Sequence, residues 1–287
     1  MIAGCRFFSI PVKYHKIIND IYSLSGNSRV TNLMPPDMHG KAGSIQDLTQ
    51  TLLQGLITIL EGKLYGVYLY GAVAFPDTDV VHDIDFHVIL TETLTEKEKQ
   101  EVNDLHASLG EEFPQHGREL DGYYILLEDA LKTKPPEHQL LPGVLDGSWA
   151  LHREHIRVGR CIILHGPDPK QIFPPCSWRD LEASLLGELR YIEDHLHEFP
   201  DYCILNLCRL MYSVYTRDVV VSKLMSAVWA QDIFPDWSSL IQAARKSYNQ
   251  KATKNDKVLL ESKIDEFLDF SRVRILNKIT TRKLGED

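Results

Sequence analysis

No apolar run in the sequence approaches the roughly 20 residues that a membrane-spanning helix needs, so no membrane protein is expected. Cysteine is sparse, with 5 in 287 residues. Cys5, Cys161, Cys176, Cys203 and Cys208 include no C-x-x-C pair, which argues against a zinc ribbon or a disulfide framework. Reduced thiols in a cytoplasmic protein are expected instead. Positive charge is also in deficit: Lys and Arg total 31 against 40 Asp and Glu, a net charge of −9. That balance argues against a nucleic-acid partner and suits a small cationic one, which an acidic cleft would attract. Internal repeats and low-complexity segments are lacking. The opening M-I-A-G-C-R-F-F-S-I-P-V-K has neither a basic start nor a proper apolar core, and reads as structural rather than as a signal peptide. His152-Arg153-Glu154-His155 spaces two histidines at i and i+3 without a third ligand, and reads as a solvated helix face.

What is present is the composition of a globular protein, 44% hydrophobic and 25% charged. One stretch stands out, Y-G-A-V-A-F-P-D-T-D-V-V-H-D-I-D-F-H-V-I-L-T at 70–91. An apolar strand (Tyr65 to Tyr70) ends in a glycine turn, where backbone N–H groups can approach a phosphate. A second apolar run then carries Asp83 and Asp85. On a strand, i and i+2 share a face, so these two carboxylates stand side by side while Ile84 and Phe86 turn away. Adjacent carboxylates repel unless a cation sits between them, and hard oxygen ligands suit Mg²⁺ carrying a phosphate-bearing substrate. A further strand-like run, R-E-L-D-G-Y-Y-I-L-L at 118–127, puts Glu119 and Asp121 on one face. If it lies beside the first, a third carboxylate joins the metal and serves as base for a hydroxyl. Glu119 and Asp121 remain competing candidates for that place.

The pattern of glycine turn, D-h-D and later strand carboxylate resembles the DNA polymerase β-like nucleotidyltransferases. Downstream, R-C-I-I-L-H-G-P-D at 160–168, I-L-N-L-C-R-L-M-Y-S-V-Y-T-R-D-V-V-V-S-K-L-M-S-A-V-W-A at 204–230 and A-A-R-K-S-Y at 243–248 resemble the streptomycin/spectinomycin (aminoglycoside) adenylyltransferases. The resemblance covers roughly residues 64 to 250. It implies an Mg²⁺- and ATP-dependent enzyme that moves AMP to a hydroxyl of an aminoglycoside or aminocyclitol. Asp83, Asp85 and Asp121 would hold the metal, with Asp121 as catalytic base. Gly71, Ala72, His82, Arg209, Lys223 and Tyr248 would contact the nucleotide. Asp194, Asp201 and Trp149 would contact the acceptor, although a core tryptophan is the competing reading of Trp149. Ala72 and His82 replace the family's two phosphate-binding serines. The runner-up function is a weakened or inactive module acting as a nucleotide sensor or toxin–antitoxin partner. The Arg160-x4-His165 spacing known from partner nucleases leads into a turn here and reads as coincidence.

The organisation expected is α+β: a nucleotidyltransferase domain over 1–165 with an N-terminal extension, then an all-helical domain over 166–287, in a monomer. A short helix is expected at Tyr14 to Leu24. Ser44 with Asp47, and Thr95 with Glu98, mark helix starts. Ser177 opens a region that is helical almost to the end, at about 178–197, 201–216, 221–231, 237–249 and 255–279. Trp229 reads as core.

Overall fold

The computed structural model describes residues 44–78 and 80–283. The helix expected at Tyr14 to Leu24 and Cys5 lie outside the described residues. Two compact units emerge, and their division differs from the expected one. The junction falls at Pro175/Cys176 rather than after residue 165, and Asp77 and Thr78 cluster with the second unit. The later junction has a packing reason. The short strand ending at His165 pairs into the sheet, and Ile172 and Phe173 are buried in the first unit's core, Phe173 edge-on to Tyr68 at 5.6 Å.

The first unit runs α1 (Ile45–Leu60), β1 (Leu64–Tyr70), β2 (Ile84–Leu90), α2 (Glu96–Glu112), β3 (Leu120–Leu126), the short α3 (Leu127–Ala130), α4 (Trp149–Arg157) and β4 (Ile162–His165). The expected capping boxes form. Ser44 Oγ accepts from the Asp47 N–H at 3.2 Å, and Thr95 Oγ1 from the Glu98 N–H at 3.3 Å, each with the reciprocal bond from the acid. The sheet order is β3-β2-β1-β4. β1 pairs antiparallel with β2 and β4, whereas β2 and β3 are parallel. A parallel pair needs a crossover, and α2 provides it.

The alternation along β2 separates two environments. Ile84, Phe86, Val88 and Leu90 enter one core with Leu48, Leu52 and Leu56 of α1 and Val102 and Leu109 of α2. Ile89 belongs to the opposite core, with Tyr68, Tyr70, Ile125 and, from α4, Trp149 and Ile156. The face that carries Asp85 is therefore the α4 side of the sheet.

The second unit is helical: α5 (Trp178–His195), α6 (Pro200–Thr216), α7 (Lys223–Ile233), α8 (Ser238–Tyr248) and α9 (Lys254–Lys283). All five lie within a few residues of the expected spans. The α6 helix packs against each of the other four, which explains why Cys203 to Cys208 are all buried. Ser177 caps α5 together with Asp180, and Ser222 caps α7 by accepting from the Met225 N–H at 3.0 Å. Trp229 packs edge-on to Tyr212, Tyr215 and Phe234 at 5.5–5.8 Å. The fold is α+β, with the strands confined to the first unit among the described residues. No described helix is long and apolar enough to cross a membrane.

Candidate active site

Asp85 is the second residue of β2 and faces Tyr70 across β1 and Asp121 across β3. Neighbouring strands lie about 4.8 Å apart, so register alone brings the Asp85 and Asp121 carboxylates together. Asp83 stands just ahead of the strand. The parallel register pairs Ile84 with Leu120, and the Ile84 N–H donates to the Glu119 carbonyl at 2.8 Å. Glu119 is thus level with Asp83 at the strand mouth, while Asp121 is level with Asp85. Burial pushes the Asp121 carboxyl up to about 6, the Asp83 charge adds to the rise, and His152 opposes it. An aspartate in that range can accept a proton near neutral pH.

Gly71 begins the turn Gly71–Ala74 with φ of +70°, a conformation that favours glycine. A Cβ there would stand 1.7 Å from Asp85 Oδ2. The absent side chain leaves the Asp85 carboxylate its room. Ala72 is half-buried and brings no hydroxyl to the turn, and His82 is buried. His138 braces β3 from outside the expected site. It accepts the Leu140 N–H at Nδ1 and donates from Nε2 to the Gly122 carbonyl, both at 3.0 Å, next to Asp121.

The remaining expected nucleotide contacts lie in the second unit. Lys223 opens α7. Its Nζ donates to the Tyr248 hydroxyl at 2.8 Å and lies 4.5 and 4.8 Å from the ring centres of Tyr202 and Tyr248. Arg209 donates to Asn206 Oδ1 at 3.3 Å. The acceptor candidates fare unevenly. Asp194 is exposed on α5, and Asp201 accepts the Tyr202 N–H at 2.8 Å in the first turn of α6.

Trp149 requires a correction. It is 1% exposed, packs on Phe173 and His87, and donates from Nε1 to the Lys132 carbonyl at 3.2 Å, so its surface is taken up by the first unit's core and the competing core reading holds. A second correction concerns α4. His155 is buried rather than solvated. His152 joins a cluster that sequence reasoning missed, with His87 of β2 and Asp146 of the preceding loop. Burial pushes His87 down, more than its bond to Asp146 raises it. Burial alone would raise Asp146, but the two histidines outweigh it and hold that carboxyl below the usual range. Strand alternation signals His87, two residues beyond Asp85. No sequence signal marks Asp146, which sits in an aperiodic loop.

Comparison with known proteins fits this layout. Residues 171–273 match the family described as aminoglycoside adenylyltransferase, C-terminal domain. That stretch lies almost wholly in the helical unit, which is thus similar to the C-terminal domain of the aminoglycoside adenylyltransferases. Among solved structures, the spectinomycin adenyltransferase AAD(9) from Enterococcus faecialis, determined with ATP and spectinomycin, superposes with a TM-score of 0.65 at 15% identity, over 80% of this chain and 98% of that one. At that identity the likeness speaks for the fold. No curated protein sequence matches the chain significantly.

Proposed function

We propose that this chain moves AMP from ATP to a hydroxyl of an aminocyclitol or aminoglycoside of the spectinomycin and streptomycin type, releasing pyrophosphate. The observation that carries the reading is the parallel register that sets Asp121 against Asp85, with Gly71 cleared for the Asp85 carboxylate, in a chain whose residues 171–273 match the aminoglycoside adenylyltransferase C-terminal domain. The ATP and spectinomycin in the AAD(9) structure support the choice of donor and acceptor.

Asp83, Asp85 and Asp121 offer only carboxylate oxygens, and burial together with the Asp83 charge raises the Asp121 carboxyl, so they suit a hard divalent ion. Mg²⁺ held there supplies charge neutralisation at the triphosphate. In the transfer, the acceptor hydroxyl oxygen bonds to the α-phosphorus. The bond from that phosphorus to the β-phosphate bridging oxygen breaks, and pyrophosphate leaves with its electron pair. The hydroxyl proton passes to the Asp121 carboxylate. Backbone N–H groups of the Gly71–Ala74 turn would receive phosphate oxygens in place of the hydroxyl that Ala72 does not supply. The family resemblance assigns Lys223, Arg209 and Tyr248 to the nucleotide and Asp194 and Asp201 to amino groups of the acceptor, all five within the helical unit. Such transfer draws most of its acceleration from positioning and charge neutralisation.

The test is incubation with Mg-ATP and a panel of aminoglycosides and aminocyclitols, following pyrophosphate and the mass of the acceptor. A mass increase of one adenylyl group with at least one acceptor is expected. No pyrophosphate with any acceptor, together with no ATP binding by calorimetry, would reject the reading.

A further inference from the structure

The sheet face that carries the carboxylates continues into the cluster that AMP transfer leaves unused. His87 Nε2 lies 3.3 Å from Asp146 Oδ2, and His152 Nδ1 lies 2.9 Å from the same oxygen. The three candidate ligand atoms all fall within 4.8 Å of one another. The Tyr70 hydroxyl adds a fourth donor, 3.3 Å from His152 Nδ1. The side chains of His87 and Asp146 are 0% and 1% exposed, and that of His152 is 28% exposed, so His152 is the member that meets solvent.

Asp146 carries the argument. A buried carboxylate needs a countercharge or a metal, because leaving water without either is costly. Asp146 Oδ1 accepts the Ser148 N–H at 3.0 Å, and Oδ2 faces the two imidazoles. Its ion-pair partners among the described residues are those two histidines, with neither Lys nor Arg. Asp85 and Asp121, on the same side of the sheet, deepen the negative potential. A divalent ion between the two nitrogens and Oδ2 would balance it. Tetrahedral zinc, with bonds of about 2.0–2.2 Å, spaces its ligand atoms about 3.3 Å apart, close to the two nitrogen-to-Oδ2 separations of 3.3 and 2.9 Å. Two imidazoles and one carboxylate favour zinc-like ions, whereas the all-oxygen trio favours magnesium.

We propose that His87, Asp146 and His152 form a second divalent-metal site, of zinc type, behind the carboxylate trio, with Tyr70 or a water as fourth ligand. His87 Nδ1 has no hydrogen-bond partner to brace the ring. The affinity is therefore expected to fall about 10- to 100-fold short of a fully braced site.

The test uses the full chain, stripped with a chelator and then titrated with Zn²⁺ by calorimetry and with Co²⁺ by visible absorption, both in excess Mg²⁺. The expected result is about one equivalent bound, with the Co²⁺ bands of a low-coordinate nitrogen-containing site. Binding should weaken at least about tenfold in His152→Gln and His87→Gln and hold in Asp83→Asn. If the wild-type chain binds neither ion under these conditions, the cluster is a hydrogen-bonded triad and the proposal fails. It fails equally if binding survives in His152→Gln and disappears in Asp83→Asn, which would put the ion at the trio. The wild-type titration decides even if a variant does not fold. The site does not rest on AMP transfer, so either result leaves the pyrophosphate assay to be judged alone.

Discussion

Asp121 is asked to be buried, to sit beside two like charges and still to end as an anion. Its carboxyl rises from an ordinary 3.8 to about 6 on folding. The sign follows from linkage. A carboxyl harder to ionise in the folded chain than in the unfolded one costs nothing below its unfolded value, an increasing amount between about pH 4 and 6, and the full amount above. In the metal-free protein Asp121→Asn is therefore expected to raise stability at pH 8, on the order of 1–3 kcal/mol, and to leave it unchanged near pH 3.5, measured by urea denaturation. The same substitution should lower AMP transfer at least about 100-fold. Ala72 invites the opposite experiment. A hydroxyl donor to a charged oxygen contributes roughly 1.5–3 kcal/mol, so Ala72→Ser is expected to tighten ATP binding about tenfold or more in calorimetry.

At the scale of elements, α7 shows how a cap fixes a residue proposed to meet the nucleotide. Ser222 accepts the Met225 N–H and its hydroxyl donates to Asp77 Oδ2, and the helix it opens begins with Lys223. Ser222→Ala should cost about 1–2 kcal/mol, read as a lower urea midpoint, and should weaken ATP binding through the displaced Lys223. Such caps are legible in the sequence because they are local: Ser44, Thr95 and Ser177 all precede an acid at the third helical position and all close as expected. The alternation that set Asp83 with Asp85, and Glu119 with Asp121, on one face of their own strands is equally local. That Asp121 rather than Glu119 comes level with Asp85 was not, because it depends on the register of two strands distant in sequence. Asp146 was beyond reach for a related reason. Its loop has no period, and its partners lie on β2 and α4. Trp149 shows the reverse error, since a family position suggested a ligand contact where packing against Phe173 demanded core. The domain junction slipped because proline-rich turns mark breaks in the chain, while β4 and Phe173 show that packing continues beyond the first of them.

For the molecule as a whole, the charge balance of −9 bears on encounter rather than on fold. Oppositely charged partners are drawn together over about one Debye length, roughly 10 Å at 0.1 M salt. The KM for a polycationic acceptor should therefore rise as salt increases from about 0.05 to 0.5 M, while the KM for a neutral-charge acceptor analogue stays nearly level; equal responses would remove electrostatic steering from the account. The parallel pairing of β2 with β3 has a further consequence, for the order of folding. Antiparallel β1 and β2 meet through a nearby connection, but Asp121 reaches Asp85 only after α2 has carried the chain across the sheet. Such long closures are completed late. A nucleotide that recognises the finished carboxylate trio finds nothing to hold in the transition state, so it protects the protein by delaying its unfolding and leaves the speed of its assembly untouched.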